Sequence, residues 1–280
     1  MKTKKIFWIL LLISSFLFLS GCQSSILNPK GYVSTEQSYL ILTSFFMMLL
    51  IIVPVIFMTL FFIWKYRSSN INAQYSPNWD KSHRIEILIW TIPILIIFFL
   101  AYLSWISTYK LEPSKPIHSL IKPIEIDVVA LDWKWLFIYP EYDIATVNEV
   151  SFPIETPIIF RVTSNSVMNS FFIPALGSQI YAMAGMQTKV YLLANESGSY
   201  KGFSANYSGS GFSDMKFSVL ASKNRELFNT WIKNIKKSPY TLNTMKMFHY
   251  VAESKNKVFV QYFSHVNRNL FLQIMSQFKK

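Results

Sequence analysis

From Leu40 to Trp64, and again from Ile87 to Ile106, the chain carries no charged side chain. About 20 such residues, rising 1.5 Å each, cross the hydrocarbon layer of a bilayer as a helix. Both runs are therefore expected to span a membrane, as a two-helix hairpin. Pro54 and Pro93 lie inside them, which membrane helices tolerate when neighbouring groups satisfy the freed carbonyls. Between the runs, Lys65, Arg67, Lys81 and Arg84 face only Asp80, so this loop is expected on the cytoplasmic side. Trp64, Tyr66 and Trp105 stand at the ends of the runs, where interfacial rings belong. The N-terminus and everything after residue 107 then lie outside the cytoplasm.

Residues 1–21 read as a targeting segment. Lys2, Lys4 and Lys5 precede the apolar stretch Ile6–Leu19, which is short for a span, and the small residues Ser20 and Gly21 lead into Cys22. That is the pattern of a bacterial lipoprotein, cut and lipidated at Cys22 and tethered to the outer leaflet of the inner (cytoplasmic) membrane. Lipidation and loop charge place residue 22 on the same side. Cys22 is also the chain's single cysteine. No disulfide within the chain is possible, nor any metal site needing two thiolates. Glu86, at the cytoplasmic edge of the second span, is the one acid at a membrane boundary there. Such acids either sit paired at a helix end or mark an ion path, and Glu86 is a candidate proton-channel entrance.

Residues 108–280 are long enough for one exported domain with a tail. Ile124–Val128 alternates, while Pro157–Val162 and Lys189–Leu193 are short apolar runs, with turn-forming clusters such as Ser208–Gly211 between such runs. These features predict a β-sandwich. After Ala221 the period becomes helical: Leu227, Trp231 and Ile235 follow the cap candidates Ser222 and Asn224, and Leu270, Phe271, Ile274, Met275 and Phe278 repeat the spacing. Lys257–Phe263 between them reads as extended. The expected division is a signal peptide at 1–21, the lipidated N-terminus and membrane hairpin at 22–107, the sandwich at 108–221 and a helical C-terminal extension at 222–280.

The net charge of +12 does not point to nucleic acid. The domain faces outward and its scattered cations are nearly all lysine, which lacks the planar fork that reads phosphates and bases. The basic balance also argues against capture of a basic electron-carrier protein such as cytochrome c, which calls for an acidic face.

With these elements in place, nearly the whole chain resembles subunit II of the haem–copper respiratory oxidases. Glu86–Pro93 resembles the signature of the second span, and Asp132-Trp133-Lys134-Trp135 the aromatic stretch of the first strands. Asn169–Gly177 resembles the segment that opens with a copper-ligating histidine in cytochrome c oxidases. Gly202–Met215 resembles the loop that supplies the remaining ligands of their binuclear copper centre. The resemblance implies a cupredoxin-like sandwich, so the fold expected is a membrane-anchored all-β chain: a two-helix transmembrane hairpin, that sandwich, and a helical tail. At the ligand positions, however, the sequence has Asn169, Ser204, Asn206, Ser208 and Phe212, with Met215 alone retained. Bridging two coppers needs soft thiolate sulfur, which serine hydroxyls do not replace. Met215 is thus expected to pack rather than bind, and the four histidines (His83, His118, His249, His265) are too dispersed to form a substitute site.

Loss of those ligands is the mark of the quinol-oxidising branch, and the likeness is greatest to subunit II of the cytochrome bo-type ubiquinol oxidases. That resemblance implies a complex oxidising ubiquinol, reducing oxygen to water and pumping protons. Its haems and copper would sit in the large subunit I, and none in this chain. Subunit I and further small membrane subunits are the implied partners, and Trp133 and Trp135 would pack toward the large one. Glu86 falls where relatives carry a carboxylate near a proton channel. A menaquinol oxidase subunit, and a free-standing lipoprotein using the sandwich to bind a partner, are the alternatives.

Overall fold

The computed structural model describes residues 26–71, 79–117, 119–253 and 259–278; the expected signal segment, Cys22 and His118 lie outside them. Helix α1 (Tyr32–Lys65) and helix α2 (His83–Lys110) contain the two expected spans, and both are long and apolar enough to cross a membrane. Each runs past its uncharged stretch. At 34 residues, α1 is roughly 50 Å long, well beyond the ~30 Å of hydrocarbon.

The extra length is a docking segment. Val33, Ser34 and Ser38, near the start of α1, are buried. The Ser34 hydroxyl donates to the Ala175 carbonyl (2.8 Å) and the Ser34 amide to that of Leu176 (3.1 Å). Lys30 and Asn195 add backbone bonds to Ala175 and Lys30 respectively. Gly31 sits so close to the domain that a Cβ there would lie 2.7 Å from the Leu193 carbonyl oxygen. A Lys110–Glu36 ion pair at 2.8 Å joins the outer ends of the two helices. The hairpin is stitched into the domain, not merely leashed to it.

Among the described residues the domain holds eleven strands: β1 (Ile124–Leu131), β2 (Lys134–Tyr139), β3 (Ile144–Val147), β4 (Glu149–Pro153), β5 (Ile158–Ser164), β6 (Asn169–Ile173), β7 (Gly177–Ala182), β8 (Thr188–Leu192), β9 (Gly198–Ser204), β10 (Lys216–Ser222) and β11 (Gln261–Phe263). They form two sheets, in the orders β11-β3-β2-β1-β5-β8 and β4-β10-β9-β6-β7. Two pairs, β1–β5 and β4–β10, run parallel. Because strand side chains alternate between faces, Ile126, Val128, Trp135, Phe137, Phe160 and Val162 meet Phe171, Phe217 and Val219 between the sheets. Phe171 stacks on Phe217 at 5.3 Å and meets Trp135 edge-on at 5.4 Å. Such pairs add about 0.5–1.5 kcal/mol beyond area burial.

The opposite face of the first sheet is equally dry. Val129, Leu131, Leu136, Ile138, Ala145 and Val147 form a second core with Phe248 and Val251 of helix α4 (Met245–Glu253), Phe263 of β11, and Leu270, Phe271 and Ile274 of helix α5 (Leu270–Ser276). The helical tail expected after the sandwich is present, and it packs back on the sheet. The C-terminal segment is a third layer, and β11 within it extends the sheet by pairing with β3. Helix α3 (Arg225–Ile235) starts where Asn224 accepts from the Leu227 amide at 3.0 Å. Its buried stripe is Phe228, Ile232 and Ile235; Leu227, expected on that stripe, is 54% exposed. Glu149 accepts from the Trp231 indole (3.0 Å) and the Tyr262 hydroxyl (2.7 Å), pinning α3 and β11 to β4.

Candidate functional site

The positions matched to copper ligands gather at one end of the sandwich. Pairing of β6 with β9 sets Phe171 opposite Ser204, which brings Asn169 to within reach of Ser204. The Ser204 hydroxyl donates to Asn169 Oδ1 at 3.1 Å, and Asn169 Nδ2 donates to the Val167 carbonyl at 3.0 Å. Both side chains are almost fully buried, so each satisfies the other where neither could reach water. Asn206 donates to the Met168 carbonyl (3.2 Å), tying the β9–β10 loop to the β5–β6 loop. Met215 is 1% exposed and belongs to the inter-sheet core. Phe212, in the 3-10 turn Phe212–Asp214, meets the exposed ring of Tyr207 edge-on at 5.7 Å.

The loop is shaped around Trp133. This residue takes the left-handed conformation (φ 61°) in the two-residue connection between β1 and β2, where a bulky side chain is seldom found. Its indole donates to the Ser208 carbonyl at 3.2 Å and lies against Gly209 and Gly211. A Cβ on Gly211 would come to 2.3 Å from the ring. Gly211→Ala should therefore displace the indole or the loop, at a cost of about 1–3 kcal/mol. A lower denaturation midpoint with a shifted tryptophan emission is the expected result; an unchanged spectrum would contradict the contact. Trp135 does not pack toward a partner as expected, because it is fully buried in its own core. Its inward parity on β2 fixes that, while Trp133 escapes the pattern by lying in the turn.

The donor set here is two amides, two hydroxyls, a phenyl ring and one buried thioether, and the Ser208 hydroxyl makes no hydrogen bond. A copper pair bridged by thiolates does not fit these groups. Among the described residues, no group of three or more His, Cys, Asp or Glu side chains could hold a metal ion. The described histidines are far apart in role: His83 lies beside Glu86, His249 meets the Phe248 ring edge-on, and His265 pairs with Asp143. The sequence did not single out Asn169 and Ser204 as a hydrogen-bonded pair. Only their shared match to ligand positions hinted at proximity.

Glu86 occupies the first turn of α2, half exposed, with its carboxylate 3.4 Å from His83 Nδ1. It lies at the far end of the hairpin from the Asn169–Ser204 pair.

Comparison with known proteins identifies the frame. Residues 141–222 match the family model described as cytochrome C oxidase subunit II, periplasmic domain. Over 268 residues the chain is 54% identical to the cytochrome bo(3) ubiquinol oxidase subunit 2 of Buchnera aphidicola subsp. Schizaphis graminum, covering 96% of this chain and 92% of that protein. It is 50% identical to the protein of the same name in Pseudomonas aeruginosa, covering 94% and 79%. The quinol oxidase subunit 2 of Bacillus cereus is 40% identical over 88% of this chain and 86% of its own length. With such identity across nearly its full length, and with the hydroxyls of Ser204 and Ser208 at the positions matched to copper-bridging thiolates, the chain belongs to the cytochrome bo(3) ubiquinol oxidase subunit 2 family.

Proposed function

We propose that this chain is the non-catalytic subunit II of a terminal oxidase that takes electrons from ubiquinol, reduces oxygen to water and pumps protons. The observation that carries the reading is the hydrogen bond that Ser204 donates to Asn169, in a frame whose relatives are named as ubiquinol oxidase subunits. Electrons arriving from a membrane quinol need no copper relay on the outer face, so the haems and copper belong in the large subunit. In this reading, the chain is lipidated at Cys22 and anchored in the bacterial inner membrane with its domain in the periplasm. The large haem–copper subunit and further small membrane subunits are its partners. Glu86 contributes at the cytoplasmic entrance to a proton path. Ubiquinol is preferred over menaquinol because the relatives above 50% identity carry the ubiquinol name, whereas the Bacillus proteins at 40% are named only for quinol.

Purification of the complex tests this directly. The chain should co-purify with a large haem protein, and the complex should consume oxygen with ubiquinol but not with reduced cytochrome c. Two coppers bound to this subunit, or a chain that purifies alone, would overturn it. Glu86→Ala should slow oxygen reduction severalfold with haem content intact. Unchanged turnover in the assembled variant would remove Glu86 from the proton path.

A further inference from the structure

Where the hairpin meets the domain, a cavity of about 380 Å³ opens between the outer helix ends and β8. Tyr32, Lys110, Glu112, Lys115, Ser178 and Tyr191 line it. Tyr32 is the first residue of α1 and Lys110 the last of α2, so this cup lies at the level of the lipid headgroups. Tyrosine and lysine are the side chains that interface favours.

A second cavity, of about 510 Å³, runs between α1 and α2 and shares Leu111 with the first. It descends along α1 from Gln37 through Leu40 to Ser44, and along α2 from Thr108 to Leu100. That is roughly 10 Å along α1, with Leu40 and Ser44 of α1 and Leu100, Leu103 and Ser104 of α2 inside the uncharged runs that mark the hydrocarbon layer. Two of its hydroxyls are turned inward on their own helix: Ser107 donates to the Leu103 carbonyl (2.6 Å) and Thr108 to that of Ser104 (2.8 Å), while Leu40, Leu100, Leu103 and Leu111 line the groove beside Gln37, Ser44 and Ser104. What they leave for an occupant is largely hydrocarbon. The groove is shaped for an alkyl chain and the cup above it for a polar head.

The charges choose the head. Lys110 is already held by Glu36, leaving Lys115, which is exposed, as the readier cation. Glu112 stands three residues away in the same cup. A purely anionic head would meet the carboxylate as well as the lysines, whereas a head carrying both signs satisfies each. We propose that cup and groove together bind one glycerophospholipid with a zwitterionic amine headgroup. Its phosphate faces Lys115 and the tyrosine hydroxyls, its ammonium faces Glu112, and one acyl chain lies between α1 and α2.

The proposal rests on reading α1 and α2 as membrane spans, which resistance of the protein to alkaline carbonate extraction checks separately. The test is native mass spectrometry of the detergent-purified complex during stepwise delipidation. The unaltered complex should retain phosphatidylethanolamine after bulk lipid is gone. Lys115→Glu in the cup and Ser104→Trp in the groove should each lose that molecule, while Lys122→Glu, outside the cup, should keep it. Equal lipid retention in all four proteins would overturn the site. Preferential retention of phosphatidylglycerol would overturn the zwitterionic assignment. Loss of the large subunit on Ser104→Trp, with lipid unchanged, would show that a partner helix fills the groove and would also overturn it.

Discussion

Arg161→Ala should destabilise the exported domain by about 3–5 kcal/mol, as expected when one member of a buried ion pair is removed. Parallel pairing of β1 with β5 sets Asp127 opposite Arg161 on the tail-covered face of the sheet. The guanidinium grips the carboxylate with both arms, Nε to Oδ1 at 2.5 Å and Nη2 to Oδ2 at 2.9 Å. It also reaches Glu125 at 3.3 Å and lies 5.7 Å from the Phe271 ring of α5. The two partners are unequal. Asp127 has a side chain 1% exposed and Arg161 one 28% exposed. Taking away the arginine strands a carboxylate in a dry layer; taking away the aspartate leaves a cation with Glu125 and some water. Asp127→Asn alone should therefore cost less than Arg161→Ala, and in the Arg161→Ala background it should recover part of the loss.

The pH dependence follows from the same asymmetry. Burial pushes the Asp127 carboxyl above its ordinary value, and the Arg161 hydrogen bond opposes that rise. Without Arg161 the folded-state value climbs further above the unfolded one, which is about 3.9. A group whose pKa is higher in the folded state stabilises the fold at low pH and loses that contribution as pH rises through the folded value. The deficit of Arg161→Ala should thus be largest near neutrality and shrink as pH falls toward about 4. Urea titrations of the detergent-solubilised protein, followed by tryptophan emission, measure both effects. A deficit independent of pH, or below about 1 kcal/mol, would mean the pair behaves as a surface bridge.

How far the sequence could be read depended on how local the determining physics is. Leu40–Trp64 and Ile87–Ile106 were legible because a bilayer admits few structures besides an uncharged helix. The strands were legible from alternation, yet the alternation of Ile124–Val128 gave no sign that the face carrying Asp127 is covered. That face is covered by residues more than a hundred positions away, and no window of sequence contains both. For the same reason the start of the stripe on α3 was misplaced: Leu227 is exposed, whereas Trp231 packs against the core and Ile235 is buried as expected. The apolar residues of α3 recur at helical spacing, but whether Leu227 or Phe228 faces inward depends on Tyr139 and Tyr142 in other elements. The site divides likewise. The absent thiolates were plain, whereas the Asn169–Ser204 bond required β6 and β9 to be paired. The left-handed Trp133 is disfavoured by its own residue type and held only by the loop wrapped around it.

Ending the chain after Ser238 should prevent the exported domain from accumulating in folded form. The cut removes α4, β11 and α5, and uncovers Val129, Leu131, Leu136, Ile138, Ala145 and Val147, each at most 1% exposed in the intact protein. Burying a Val or Leu side chain is worth about 1.5–3 kcal/mol, so re-exposing this group forfeits an amount comparable to the 5–15 kcal/mol stability of a whole domain. The ordering cost of the missing residues vanishes with them, so the net loss is smaller than that sum. What that relief does not remove is the contiguous apolar sheet face left in water, bordered by β3 without its edge partner β11. Such a face invites association with another chain. If the uncovered face is the cause, Val129→Thr, Leu136→Lys and Ile138→Lys in the shortened chain should restore part of its level in membranes. A charged outer face is what an ordinary two-layer sandwich presents to solvent. Immunoblots of the membrane fraction and protease resistance of the domain measure the outcome. A shortened chain with unaltered level and resistance would reduce the tail to an appendage.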